Sequence, residues 1–423
     1  MHVLIVGAGL VGMTTAYECR RAGYDVTLVD MADAVAAETS HANGGQIAVS
    51  ESAPWSRPGL VGHALAKLGR ADAPFRLNLR CDAAQWRWLF SFLRNCAPSV
   101  HRRAIRRNWH LADYSRKVLR ETRAAMGNDF DYQGAQLGIL QFASCPQAVA
   151  EARRTIDELA EIGVSLEWLD APEVAAREAA LGHAVESGRV CGAIWAADDE
   201  SGDARIFTEK LGGHLAAQGV DIRLGVRVMD WLRDGADVRG VMTCAGALEA
   251  DKVVLASGTG TNRLLQPLGV SLPMLPVKGY SLTFPVRDSE AAPHRSLTDL
   301  AQRLVMSRLG DRLRVAGYAE IGTGGGIETR RVEAIRGHIG RLFPDALDIE
   351  EATPWCGFRP MTADGAPVLG ALAGVGNLFL NTGHGALGWT LCHATARMTA
   401  EMLGGAPPEC DAAPFAPDRR FVA

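Results

Sequence analysis

No uninterrupted run of roughly 18 apolar residues occurs in this chain, so no helix in it is expected to cross a bilayer. The N-terminal apolar run lacks the charged flank and cleavage site of a secretory leader, which predicts a cytoplasmic protein. The nine cysteines (19, 81, 96, 145, 191, 244, 356, 392 and 410) form no C-x-x-C pair and no metal-like spacing. Reduced, scattered thiols are expected rather than a disulfide framework or a metal site. A net charge of −4 gives no reason to expect nucleic acid as a partner. Internal repeats and low-complexity tracts are missing too. What is left has the composition of a globular enzyme, with 48% hydrophobic and 22% charged residues. At 423 residues it is long enough for one large domain and a substantial second one.

What is present concentrates in the first thirty residues. His2–Val6 predicts a buried strand, residues 13–22 a helix and residues 26–29 a second strand. Gly7, Gly9 and Gly12 form a G-x-G-x-x-G turn between strand and helix. The first glycine permits the tight turn, the second lets backbone N–H groups approach a pyrophosphate, and the third packs helix against strand. The helix N-terminus then holds the negative charge. Asp30 ends the second strand, where a carboxylate can accept from a ribose diol and would repel an NADP 2′-phosphate.

Farther along, Ser40-His-Ala-Asn-Gly-Gly-Gln46 suits a backbone lying against a flat ligand. Residues 83–126 turn helical, with Trp86, Leu89, Phe90 and Leu93 at helical spacing and Trp88 and Phe92 on another side. Arg102, Arg103, Arg106 and Arg107 make a basic cluster, either a solvated helix face or a patch for anionic lipid. Paired strands are expected over 131–143. The stretch 250–260 reads as a buried parallel strand closing on a glycine-rich turn that contains Gly258, and strands near 276–284, 302–306 and 312–320 alternate as an antiparallel sheet. The expected fold class is α/β, with α+β character in the substrate part. A discontinuous Rossmann-type domain (1–80, 190–265 and 350–423) carries an inserted antiparallel-sheet substrate domain (81–189 and 266–349).

A second glycine-rich strand-to-helix junction, Asn381 to Gly388, predicts another place where N–H groups meet negative charge. Two such junctions suit FAD, with its pyrophosphate at one and the flavin edge that turns negative on reduction at the other. Arg359, in Gly-Phe-Arg-Pro, can offer a planar fork to a carboxylate, with a structural salt bridge as the alternative. Tyr280 is open between a carboxylate contact and a core tyrosine.

The N-terminal turn with Ala16 and Gly23, Gly258, Gly-Phe-Arg-Pro and Asp364-Gly-x-Pro367 resemble the D-amino-acid oxidase superfamily of flavoenzymes. Within it, five motifs are similar to the small subunit of bacterial D-amino-acid dehydrogenases. These are Ser40 to Gln46, Ala53-Pro-Trp, Val277-Lys-Gly-Tyr280, Arg359-Pro-Met-Thr-x-Asp-Gly, and Leu380 to Trp389. The chain departs from that pattern at Gly44, where alanine is expected, and at Ala363, where proline is.

The resemblance implies non-covalent FAD, hydride loss from the α-carbon of a D-amino acid, and an imino acid that hydrolyses to a 2-oxo acid and ammonia. Electrons then pass to a quinone or other acceptor. It implies cofactor contacts at Gly7, Gly9, Leu10, Gly12, Asp30, Ser40, Asn43, Gly44, Gly45, Gln46, Val228, Gly258, Gly383, His384, Gly385, Leu387 and Gly388. Substrate contacts fall on Arg359 and Tyr280. No protein acid or base is assigned to the hydride step, and no metal is expected. The competing expectations are an oxidase or demethylase of secondary amines (sarcosine, D-proline, D-hydroxyproline) and a non-catalytic FAD subunit. A peripheral contact on the inner face of the cytoplasmic membrane and self-association stay open.

Overall fold

In the computed structural model, residues 1–59, 74–127 and 129–421 are described. The apolar strand His2–Val6 sits inside a six-stranded sheet. It pairs in parallel with Asp25–Val29 on one side and Lys252–Leu255 on the other. Leu378–Thr382 and Asp221–Arg223 extend the parallel run outward, and Val368–Ala371 closes one edge antiparallel. Val3, Leu4 and Ile5 lose all exposure, as a strand covered on both faces requires. On one face they meet Met13, Phe207 and Cys392 of the helices Leu10–Arg21, Ala204–Ala217 and Gly388–Leu403. On the other they meet Trp231, Val238 and Val241 of the antiparallel strands Val228–Asp234 and Asp237–Thr243. Each fully buried side chain of this kind contributes at most about 1.5–3 kcal/mol.

The second sheet has nine strands. From one edge it runs Thr353–Thr362, Met274–Pro285, Arg312–Ile321, Leu304–Leu309, Ser296–Asp299, Ile139–Ala143, Gly192–Ala196 and Glu167–Asp170, with Phe75–Leu77 beside Arg312–Ile321. This membership differs from the ranges expected from sequence. Gly192–Ala196, Thr353–Thr362 and Phe75–Leu77 belong to the large sheet, although they fall in stretches expected to be nucleotide-binding. The decisive contact is the ladder from Met274↔Thr362 to Thr283↔Thr353, unbroken along the whole of Thr353–Thr362. Residues 60–73 of the expected 1–80 segment lie outside the described residues. Conversely, Pro98–Met126 packs Leu111, Ala112 and Val118 against Leu391, Ala394 and Met398 of the C-terminal helix.

Other local expectations shift for physical reasons. The helical stretch 83–126 is two helices, Ala83–Asn95 and Pro98–Met126, because Pro98 starts a new helix where its missing N–H costs nothing. On the first, Trp88 is buried and stacks on Phe92 at 4.8 Å, while Trp86, Phe90 and Leu93 are exposed. Arg107 leaves the basic cluster and turns inward to Asp364 at 3.4 Å, which leaves Arg102, Arg103 and Arg106 exposed. The paired strands expected over 131–143 reduce to Ile139–Ala143, preceded by a turn with Gly138 at φ 74°.

Candidate active site

A cavity of about 1450 Å³ lies where the C-terminal ends of the parallel strands face the large sheet. Single-ligand pockets usually hold about 300–1,000 Å³, so there is room for a large cofactor and a small substrate together. Its wall gathers Gly7, Gly9, Leu10, Asp30, Ser40, Asn43, Gly44, Gly45, Gln46, Val228, Gly258, Tyr280, Arg359, His384, Gly385, Leu387 and Gly388. Of the residues singled out from sequence, Gly12 and Gly383 do not line it.

At the nucleotide end, Gly7 holds φ 122°, and a Cβ there would run into the Ala256 carbonyl. Gly12 stands behind the turn as a spacer, since a Cβ on it would overlap the Gly7 carbonyl. Gly9 caps the helix Leu10–Arg21, whose first turn holds no acid, and Ser40 Oγ accepts from the Leu10 N–H at 3.1 Å. Asp30 accepts from the backbone N–H groups of Ala8 at 2.6 Å and Ala32 at 2.8 Å. A carboxylate has about four acceptor sites, so two remain for a ribose diol. The cradle therefore fits a ribose diphosphate.

At the other end, Leu378–Thr382 turns through Gly383 (φ 75°) and Gly385 (φ 57°) into the helix Gly388–Leu403. A Cβ on Gly385 would overlap Met361, and His384 forms a β-bridge with Met361, so this turn lies flat against the strand carrying Arg359. Burial drives the His384 imidazole down to about 3, so it is neutral at physiological pH. Its Nε2 lies 2.9 Å from Thr395 Oγ1, whose hydroxyl donates to the Cys392 carbonyl. That assigns the proton to Nε2, donating to Thr395. Gly44 has its own reason. A Cβ there would overlap Val305, which explains glycine where the resemblance expects alanine.

Arg359 projects from Thr353–Thr362 across the neighbouring strand. A Cβ on Gly279 would occupy the space of its guanidinium. Its Nη1 donates to the Tyr318 carbonyl at 3.0 Å, and it stands 5.7 Å from the Trp55 ring centroid. The ladder slips between Lys278 and Tyr280, and Tyr318 takes φ 58°, an unfavourable conformation for a tyrosine that accompanies this bulge at the Arg359 contact. No carboxylate pairs with Arg359 among the described residues, and burial alone lowers it to about 10. It thus stays charged at neutral pH, enclosed, on a cavity wall and without a counter-ion.

Tyr280 also lines the cavity, but its hydroxyl lies 3.4 Å from Glu320 Oε2, inside a buried cluster with Lys278 and Arg331. Sequence reasoning missed Glu51, Thr298 and Tyr318, which the large sheet and its neighbouring loop bring to the same wall. None stands in a motif with a local chemical signature.

Comparison with known proteins accords with this geometry. The chain is 40% identical to the D-amino acid dehydrogenase of Cereibacter sphaeroides over 99% of this chain and 97% of that protein. It is 42% identical to that of Paramagnetospirillum magneticum over 96% of each. Glycine oxidase from Geobacillus kaustophilus shares the fold, with a TM-score of 0.77 at 20% identity, over 99% of this chain and 98% of that one. The family description "FAD dependent oxidoreductase" matches residues 2–402, and the chain belongs to this DAO family.

Proposed function

We propose that this chain oxidatively deaminates D-amino acids, with FAD held non-covalently and the electrons passed to a quinone or another acceptor. The observation that carries the reading is Arg359, a half-buried guanidinium facing the cavity with no carboxylate partner among the described residues, two positions from the Met361 that bridges the second glycine turn. Burying such a charge is costly unless a partner arrives, and a substrate carboxylate is that partner. Relatives named D-amino acid dehydrogenase support the substrate class.

Bound between the two turns, FAD supplies the hydride acceptor. Asp30 would hold its ribose, the N-terminus of Leu10–Arg21 its pyrophosphate, and residues 384–388 the flavin edge that becomes negative. Arg359 grips the substrate carboxylate with two parallel hydrogen bonds and so aims the α-hydrogen. Tyr280 forms the wall beside it. Loss of the hydride and an amine proton leaves an imino acid, which water converts to a 2-oxo acid and ammonia. His384, neutral and committed to Thr395, positions and does not take the proton.

The purified protein is expected to be yellow and to bleach anaerobically with D-amino acids but not with their L-enantiomers. If no D-amino acid bleaches it, the reading fails. No cysteine lines the cavity among the described residues, and the His384 ring beside the second glycine turn is committed to Thr395, which supports a flavin released by acid or heat. Flavin that stays with the denatured chain would refute the non-covalent part.

The exposed face of Trp86, Phe90 and Leu93 on Ala83–Asn95, with Arg87 and Arg94 beside it, supports a peripheral contact with anionic lipid. Phe90→Glu is expected to cut co-sedimentation with phosphatidylserine vesicles by roughly tenfold. Undiminished binding would remove this surface from the proposal.

A further inference from the structure

Glu51 is a carboxylate on the wall of the same cavity, with no ion pair closer than 4 Å among the described residues. It follows the short strand Gln46–Ile47 and lines the same wall as Thr298. Protein surrounds it, yet it keeps accessible surface, as a side chain facing an internal cavity does. Thr298 Oγ1 donates to Glu51 Oε1 at 2.8 Å, while Oε2 has no hydrogen-bond partner among the described residues. The Gln46 amide braces Thr298 at 3.1 Å and Ser296 at 2.9 Å, so the carboxyl stands on a fixed support. Arg303 is near enough to favour the charged form of Glu51, but its own ion pair, at 3.0 Å, is with Glu151, a carboxylate that Arg57 also pairs with. Burial, with the Asp199 carboxylate near it, pushes Glu51 up to about 7, although Thr298 and Arg303 pull the other way. Asp199 accepts from the Val49 and Ser50 N–H groups and from the Ser50 hydroxyl, so its own oxygens are engaged.

Position matters as much as charge. The Arg359 guanidinium reaches the Tyr318 carbonyl on Arg312–Ile321, and Thr298 stands two strands away, across Leu304–Leu309. Two strand spacings are roughly 10 Å. That span is long for an α-amino group, which sits beside the carboxylate, and suits a straight side chain ending in a charge.

We propose that Glu51 is a subsite for a positive charge at the far end of the substrate, so that D-amino acids with long cationic side chains, the D-lysine and D-arginine class, are preferred. The inference rests on the deamination reading above. With the substrate carboxylate on Arg359 and its terminal cation on Glu51, each of these enclosed charges gains a direct ion pair. The bland alternative is that Glu51 merely pins its loop to Thr298. Glutamine can still accept from Thr298, so Glu51→Gln separates the two.

The test uses the FAD-loaded enzyme. Calorimetric affinities are measured for ε-aminocaproate and caproate, which differ only in the terminal ammonium and carry no oxidisable α-amine. Wild-type protein is expected to bind ε-aminocaproate roughly tenfold or more tightly than caproate, and Glu51→Gln to erase the difference. In turnover, Glu51→Gln is expected to raise KM for D-lysine about tenfold and leave D-norleucine within about twofold. Equal wild-type affinities would overturn the proposal. So would a variant that slows both substrates alike, which would place Glu51 at the α-amine. Turnover of D-norleucine without preference for D-lysine overturns this inference alone. Failure of both substrates to bleach the flavin overturns the deamination reading together with it.

Discussion

Arg359→Ala is expected to lower kcat/KM for D-amino acids by roughly 30- to 5,000-fold with FAD content unchanged, the range for truncating one partner of a buried, hydrogen-bonded charge pair at about 2–5 kcal/mol. Arg359→Lys is expected to rescue little. A lysine keeps the charge but loses the planar fork, so the α-carbon is held less well and both KM and kcat suffer. Stability separates this role from a structural one. In the absence of substrate the guanidinium is half-buried, with one carbonyl acceptor and a ring for company. Removing an uncompensated buried charge tends to stabilise a protein. Arg359→Met should therefore melt no lower than wild type while losing activity. A lower Tm with near-normal kcat/KM would identify a structural arginine and leave the carboxylate site empty.

The parts of this fold legible in the sequence are those whose chemistry is local. The glycines at 7, 9 and 12 and the acid at 30 lie within one strand–helix–strand unit, and the structure places that unit as the local pattern requires. The second turn is legible for the same reason, because Gly383 and Gly385 must adopt positive φ within a few residues of a helix start. The illegible parts are built by long-range pairing. Gln46 and Thr298 meet across 252 positions, which no periodicity records. Thr353–Thr362 falls in the 350–423 stretch expected to be nucleotide-binding, and only its ladder with Met274–Pro285 places it in the large sheet. Arg107 shows the same limit. Four arginines close together on a helix read as one basic cluster, yet Asp364, held also by Arg419, draws Arg107 inside. The departure at Gly44 becomes intelligible only when Val305 is placed against it.

Gly279→Ala is expected to reproduce much of the Arg359 defect without touching a charged group. Gly279 pairs with Gly357 in the ladder and does not hold a positive φ, so the backbone tolerates alanine there. The added methyl would overlap the Arg359 guanidinium, which is the flexible end of a long side chain and must move. Its hydrogen bond to Tyr318 fixes where it now points, so displacement breaks the aim toward the substrate carboxylate. A misplacement of about one ångström is enough for a loss of roughly 100-fold in kcat/KM. FAD content and Tm should stay near wild type, because the three atoms nearest the methyl all belong to the Arg359 guanidinium and the nucleotide cradle lies elsewhere. The double variant gives the sharper result. If Gly279 acts only by leaving room for Arg359, adding Gly279→Ala to Arg359→Ala should change kcat/KM by less than about twofold. Additive losses would mean that Gly279 serves the site by some other route, and that the glycine is not there to seat the arginine.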